Sequence, residues 1–341
     1  MRLATYNIEW MSGLFGADDQ LMEDDAWSSR HNVTRAQQIA ALGHVFQAID
    51  ADGVMIIEAP DASPKRSTEK ALGAFAKRFD LRTRAVAHGF SNDTQQEIAF
   101  LYDPDVLTAH HDPQGPESGA GGRDDAPRFD GVFRLDLDVD ATEDLVRFSK
   151  PPLELHVETV NGQSVRMIGA HLKSKAPHGA KTRDEVMQQS IANRRKQLAQ
   201  AIWLRSRIAQ LFEADESIIL MGDLNDGPGL DQYEFLFGRS SVEIILGNKD
   251  EPKLFDPHAA RALGQRIGAV PTTSRFWISK EKRYLQALLD YIMISEDLLE
   301  KGPHWRIWHP LDDPECWKNT TLREALVAAS DHFPVSLDIA L

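Results

Sequence analysis

The stretch from Ser217 to Gly229, S-I-I-L-M-G-D-L-N-D-G-P-G, joins four apolar residues to a polar, glycine-rich exit. Asp223 and Asn225 stand two apart, so a still-extended backbone turns both to the same side. A carboxylate beside a carboxamide can orient a water, bind a hard cation or hold a phosphate oxygen. Gly, Asp, Asn and Pro are also ordinary turn residues, so the stretch gains weight only if other strand ends supply matching groups. They do. Asn7 lies in the first strand-like run, and Glu58 ends the apolar run Val54 to Glu58, just before Ala59-Pro60. His171 ends V-R-M-I-G-A-H and is followed by Lys173 and Lys175, a loop that could face phosphate. Asp290 sits among apolar neighbours in L-Q-A-L-L-D-Y-I-M-I-S, where an unpaired carboxylate would be costly. Asp331 and His332 precede the closing strand.

The elements that must position these groups are legible as periods. Strands are expected over Leu3 to Ile8, Val54 to Glu58, Arg82 to Ala87, Glu97 to Tyr102, Leu153 to Val160 and Val165 to His171; Asn161-Gly162, between the last two, is a strong hairpin signal. Leu285 to Ser295 reads as one strand with Asp290 inside it. Helical spacing covers Thr34 to Ile49, with Thr34 as cap, Ser67 to Phe79, and Thr182 to Glu213. The last carries Arg194, Arg195, Lys196, Arg205 and Arg207, charges that solvate a helix face or touch nucleic acid. A short helix is expected over Gln232 to Phe237. The segment from His110 to Asp130 is rich in Gly, Pro, Asp and Glu without a period, and reads as a mobile surface loop with solvated histidines at its start.

The chain has 341 residues, 42% of them hydrophobic, enough to bury a large core, and a single domain over 1–341 is expected. No 18-residue apolar run exists to span a membrane. The first residues enter a strand pattern without a charged and then apolar leader. The single cysteine, Cys316, excludes an intramolecular disulfide framework and a multi-cysteine zinc site. These features together point to a cytoplasmic setting. A formal net charge of −14 argues against gripping long nucleic acid by broad phosphate neutralisation, and leaves room for a locally basic cleft.

The ordered set T-Y-N, I-I-E, G-A-H-L-K-S, M-G-D-L-N-D, L-D-Y-I and S-D-H-F-P resembles the endonuclease/exonuclease/phosphatase (DNase I-like) superfamily, from residue 5 to 335. Each motif is weak alone, and six in order are strong. The resemblance implies an α/β (α+β) fold, a four-layer α/β sandwich of two mixed β-sheets packed face to face with helices outside. It implies Mg²⁺ or Mn²⁺ as cofactor, with Glu58 as the principal metal ligand and Asn7 and Asp331 at or near the metal. Asp223 resembles the residue that orients or deprotonates the attacking water, and Asn225 one that holds the water or a phosphate oxygen. Asp290 and His332 resemble a carboxylate–histidine pair, with the histidine a base or an electrostatic stabiliser. His171 matches a position that contacts the phosphate or assists the leaving oxygen, and Glu97 lies one residue out of register from a glutamate behind that histidine.

The implied reaction is metal-assisted, in-line attack of water on a phosphoester without a covalent enzyme intermediate. DNA or RNA is the leading substrate class, guided by Lys173 and Lys175, and no protein partner is inferable. Asn225 is followed by Asp226-Gly227-Pro228, and Gln286-Ala287-Leu288-Leu289 precedes Asp290, departures that point away from inositol polyphosphates. No exposed aromatic hairpin is evident. Two other readings stand beside the nuclease: a phosphatase or phosphodiesterase on a small or lipid phosphoester, and a catalytically inactive binding protein on the same fold.

Overall fold

A central strand with two apolar faces needs cover on both, and that requirement sets the architecture. The computed structural model describes residues 1–116, 126–135, 144–177, 179–227, 238–264, 269–278 and 282–341. The chain begins with β1 (Arg2–Asn7), α1 (Arg35–Ile49), β2 (Gly53–Ala59), α2 (Thr68–Arg78), β3 (Ala85–His88) and β4 (Glu97–Tyr102). Next come β5 (Leu107–His111), a small ribbon of β6 (Phe133–Leu135) and β7 (Asp144–Val146), then β8 (Leu153–Thr159) and β9 (Ser164–His171). A long helix, α3 (Arg183–Glu213), leads to β10 (Ile218–Asp223), α4 (Ser241–Leu246), β11 (Leu254–Phe255) and α5 (Pro257–Gly264). A hairpin of β12 (Ser274–Ile278) and β13 (Arg283–Ala287) precedes β14 (Asp290–Ser295), β15 (His304–Ile307), α6 (Pro314–Lys318), α7 (Thr320–Ala329) and β16 (Val335–Asp338).

Two six-stranded sheets result, in the orders β15-β16-β1-β2-β4-β3 and β11-β14-β10-β9-β8-β5. Both are mixed, since β1 runs parallel to β2 and β9 to β10 while their other pairings are antiparallel. Between the sheets, Leu3, Met55 and Ile57 meet Met167, Ile219, Met221, Ile292 and Ile294. On the outer face of the first sheet, Ala4, Tyr6, Val54 and Ile56 pack with Ile39, Leu42 and Phe46 of α1 and Leu322 and Leu326 of α7. On the outer face of the second, Ile168, Leu220 and Tyr291 pack with Ala199, Trp203, Leu204 and Ile208 of α3. This is the four-layer sandwich. Thr34 and Thr182 open α1 and α3 with full capping boxes, closed by Gln37 and Glu185.

Four expectations are corrected. His110 and His111 end β5 rather than starting a loop. Of the remainder, 117–125 lie outside the described residues, but Ala126 and Phe129 are fully buried. Phe129 packs on Trp203 and Phe148, and the Trp203 indole donates to the Pro127 carbonyl at 3.0 Å, so this flank is core. Arg194 and Arg207 do not solvate α3; both are buried, paired with Asp226 at 2.6 Å and Glu154 at 2.9 Å. Leu285 to Ser295 is two strands, broken at Leu288-Leu289, so that Asp290 begins β14 instead of lying inside a strand. The β12–β13 hairpin carries exposed Trp277 and Tyr284, an aromatic hairpin that the sequence pattern did not betray. The helix expected over 232–237 lies outside the described residues.

Trp203 joins α3 to Phe129, Phe133 and Phe148, with ring centroids 5.0–5.7 Å away. Trp203→Ala is expected to lower the unfolding free energy in urea by about 3–5 kcal/mol; a loss below about 1 kcal/mol would show that the 126–130 flank does not pack as described.

Candidate active site

The register of three strands makes the floor of the site. β9 pairs with β10 so that His171 stands beside Asp223, and β10 pairs with β14 so that Asp223 stands beside Asp290. The period of two does the rest. In β10, Ile219, Met221 and then Asp223 share one face; in β14, Ile294, Ile292 and then Asp290 do. The apolar members fill the interface between the sheets, so the polar member of each column emerges at the same rim. β1 delivers Asn7 from the facing sheet by the same alternation after Leu3. Its carboxamide donates across the gap to Asp223 Oδ2 at 2.9 Å.

Local backbone geometry sharpens the aim of Asp223. Gly222 has φ +137°, and a Cβ there would overlap the Ala170 carbonyl, which explains the glycine before Asp223. Asn225 sits at φ +50°, donating its backbone N–H to Asp223 Oδ1 at 2.7 Å and its carboxamide to Oδ2 at 3.1 Å. His171 Nε2 is 3.6 Å and His332 Nε2 3.9 Å from Asp223 Oδ2. His332 Nδ1 lies 2.8 Å from Asp290 Oδ2, the carboxylate–histidine pair, while the Leu289 and Asp290 amides donate to Thr273 Oγ1 at 3.0 Å.

Burial and charge set these groups apart. Burial raises the Asp223 pKa, opposed by His332 and reinforced by Asp290. For His332 burial works against the charged ring, but Asp290 outweighs it through charge and hydrogen bond, and the pKa rises. Burial drives His171 well below its ordinary range, with Lys150 and His332 pushing the same way. Burial and charge thus push the two histidines in opposite directions, His171 towards the neutral ring and His332 towards the charged one.

Across the cavity Glu58 occupies φ +64° at a register shift in β2, an uncommon conformation for a residue with a Cβ. The shift turns the side chain to the rim, where Oε2 accepts from the Trp10 amide at 3.1 Å and from Gln96 at 2.8 Å. Burial raises the Glu58 pKa, Lys150 lowers it and Asp331 raises it, so its carboxylate shares the field of Asp331. Asn7 Oδ1 is buried with no partner among the described residues. An orphaned carbonyl oxygen beside acidic carboxylates is an all-oxygen donor set that fits a hard divalent cation. Asp223, Asp290 and His332 also lie close enough to form a ligand group, but His332 Nδ1 is engaged by Asp290.

Asn7, Glu58, His171, Asp223, Asn225, Asp331, His332, Lys173 and Lys175 all line one cavity of about 850 Å³. Lys175 is nevertheless anchored, its ammonium 2.6 Å from buried Asp226, so it ties down the loop rather than standing free for substrate. Glu97 is not brought to the site. Its carboxylate accepts from Asn92 at 2.7 Å and from the Ala62 amide at 3.4 Å, and the neighbouring Gln96 is the residue that reaches Glu58. Sequence reasoning missed Lys150, whose ammonium is 3.2 Å from His171 Nδ1, and Gln96, Trp10 and Phe276, which line the cavity. None belongs to a recognisable motif; Lys150 precedes an unremarkable Pro-Pro.

A phosphoester-hydrolase constellation on a four-layer sandwich defines the class. The chain belongs to the Endonuclease/Exonuclease/phosphatase family, whose pattern matches residues 4–332. No curated protein matches it in sequence. Among solved structures it is similar to truncated TDP2 from Caenorhabditis elegans, with 12% identity over 100% of this chain and 97% of that one, TM-score 0.49. It is also similar to the human Nocturnin catalytic domain with bound sulfate anion, with 14% identity, 99% and 93% coverage and TM-score 0.48. A third is the mannosyl-6-phosphatase of Bacteroides thetaiotaomicron, with 15% identity, full coverage of both chains (100%) and TM-score 0.49.

A buried carboxylate with a raised pKa is destabilising when ionised. Glu58→Gln keeps the shape and removes the charge. In metal-free buffer at neutral pH the variant is expected to unfold at a higher urea midpoint, with an unfolding free energy raised by about 1 kcal/mol; a comparable loss of stability would contradict a strained, desolvated Glu58.

Proposed function

We propose that the chain is a divalent-metal-dependent phosphodiesterase that hydrolyses its substrate by in-line attack of water, with nucleic acid as the substrate class. The observation that supports this most is the Asp223 carboxylate, fixed by Asn7 and Asn225 between His171 and His332 at the cavity floor. Asp223 holds the attacking water and takes its proton, a role that suits a carboxylate whose basicity burial has raised. The water oxygen bonds to phosphorus as the ester bond opposite breaks. Cationic His332, held by Asp290, stabilises charge building on the phosphoryl oxygens and acts as electrostatic stabiliser, not base. Neutral His171 stands beside them to bond a phosphate or leaving oxygen. Glu58, Asn7 and Asp331 would hold Mg²⁺ or Mn²⁺, which supplies Lewis-acid neutralisation of the phosphoryl group.

Lys173 gives the cavity positive charge at its wall, and Trp10 and Phe276 offer flat apolar surface where a base can lie. The volume is ample for a nucleotide. A second reading, a small or lipid phosphoester, is favoured by the exposed Trp277 and Tyr284 on the hairpin beside the cavity. No helix among the described residues is long and apolar enough to cross a membrane. A reducing, cytoplasmic setting is part of the proposal and rests on the single, buried Cys316.

The test is hydrolysis of bis-p-nitrophenyl phosphate, p-nitrophenyl phosphate, DNA, RNA and sphingomyelin, with Mg²⁺, Mn²⁺ or EDTA. Cleavage of nucleic acid is expected, abolished by EDTA and lowered about 10³-fold in Asp223→Asn. Activity confined to a small or lipid phosphoester supports the second reading, and an EDTA-insensitive or Asp223-independent reaction overturns both.

A further inference from the structure

Among the described residues Lys150 has no ion-pair partner. It stands half-buried in the loop between β7 and β8, and its ammonium lies 3.2 Å from His171 Nδ1 and 3.5 Å from Nε2. No carboxylate lies within ion-pair distance of it among the described residues; burial pushes its pKa down, and Glu58 and Asp223 oppose this through space. An ammonium has three N–H donors and no acceptor. His171 takes one at most, so at least two remain to serve the cavity that Lys150 lines. Burying a cation that is left unpaired is costly. Arg194 and Arg207 show how the same fold treats structural cations, since both are buried and matched to carboxylates at 2.6 Å and 2.9 Å. Lys175, in the loop between β9 and α3, is likewise tied to Asp226. Lys150 alone of these faces the reacting groups without such a partner.

We propose that Lys150 is a further catalytic residue, a fixed cation that donates to a non-bridging oxygen of the scissile phosphate, with His171 as the acceptor that aims it. This rests on the phosphoester reading above and adds a specific contact to it. A phosphate oxygen supplies the acceptor and the negative charge that the pocket lacks, and its charge grows as the attacking oxygen bonds to phosphorus. The arrangement also fixes His171. A ring that accepts from the ammonium at Nδ1 would carry its proton on Nε2, which lies 3.6 Å from Asp223, and burial first, then the neighbouring ammonium, pushes the His171 pKa down. Lys150 thus connects the β7–β8 loop to the row of residues at the strand ends. His171 would then serve the phosphate twice, directly through Nε2–H and indirectly by holding the ammonium.

The experiment compares wild type, Lys150→Met and Lys150→Arg by metal-activated hydrolysis of bis-p-nitrophenyl phosphate, by competitive inhibition with inorganic phosphate, and by thermal unfolding. Lys150→Met is expected to lose about 10²-fold in kcat/KM, mostly in kcat, and to weaken phosphate inhibition about 10-fold, the loss of one charged contact. Its unfolding temperature should not fall, because an unmatched cation has been removed. Lys150→Arg should recover most of the loss. Activity within twofold of wild type in Lys150→Met overturns the proposal, as does a loss that follows a lowered unfolding temperature and is not rescued by arginine. If wild type hydrolyses no phosphoester, the parent reading fails separately, and calorimetric titration with inorganic phosphate decides. Weaker binding by Lys150→Met supports the contact, and equal binding, or none by either protein, overturns it.

Discussion

The hydrogen bond from Asn7 to Asp223 spans the interface of the sandwich and joins the last inward-facing residue of one sheet to that of the other. Everything catalytic depends on that meeting. A slip of one residue in either ladder would send Asp223 to the outer face and Gly222 or Leu224 to the rim, because a strand alternates with a period of two. The register is fixed by the apolar columns behind it: Met167, Ile219, Met221 and Ile292 can fill the space against Met55 and Ile57 only in this alignment. Packing that looks purely structural thereby sets the positions of His171, Asp223 and Asp290 in a single row.

That row concentrates charge where water is scarce. Asp223, Asp290 and His332 are all nearly inaccessible to solvent, and Glu58 is half-buried in a conformation that favours glycine. The protein answers with partial pairing. Asp290 is matched to His332, Asp223 is satisfied by two carboxamides, and Glu58 by a backbone amide and Gln96. Among the described residues the row still leaves Asn7 Oδ1 and Asp290 Oδ1 without a hydrogen-bond partner and the Lys150 ammonium without an ion-pair partner. A cation and an anionic substrate would complete the set, which is why these residues are poised for function at the expense of stability.

Much of this was legible from strand ends. Asp223, Asn225, Asp290, His171 and His332 are short polar interruptions of apolar runs, and a period of two is enough to predict which side each faces. The cost of an unpaired buried carboxylate required only that Asp290 have a partner; that the partner is His332 was implied by the family resemblance. What was illegible depends on long-range contact. Lys150 lies in an irregular loop, and only tertiary folding brings it to His171. Glu97 illustrates the limit of motif spacing, since the shift in β2 at Glu58 leaves Gln96, not Glu97, facing the cavity. The flank at Ala126 to Asp130 looked solvated by composition, but Phe129 outweighs its polar neighbours by burying against Trp203. Likewise Arg194 and Arg207 belong to the core because Asp226 and Glu154, distant in sequence, meet them there.

Two histidines in one phosphoester site also allow a rival chemistry, in which neutral His171 attacks phosphorus and water releases the phosphoryl group in a second step. The stereochemical course at phosphorus separates the two. A phosphorothioate diester of one configuration, hydrolysed in ¹⁸O-water, gives a chiral thiophosphate product. Direct attack by a water held at Asp223 predicts inversion. Retention, the mark of two successive displacements, would contradict the account and make a side chain the nucleophile.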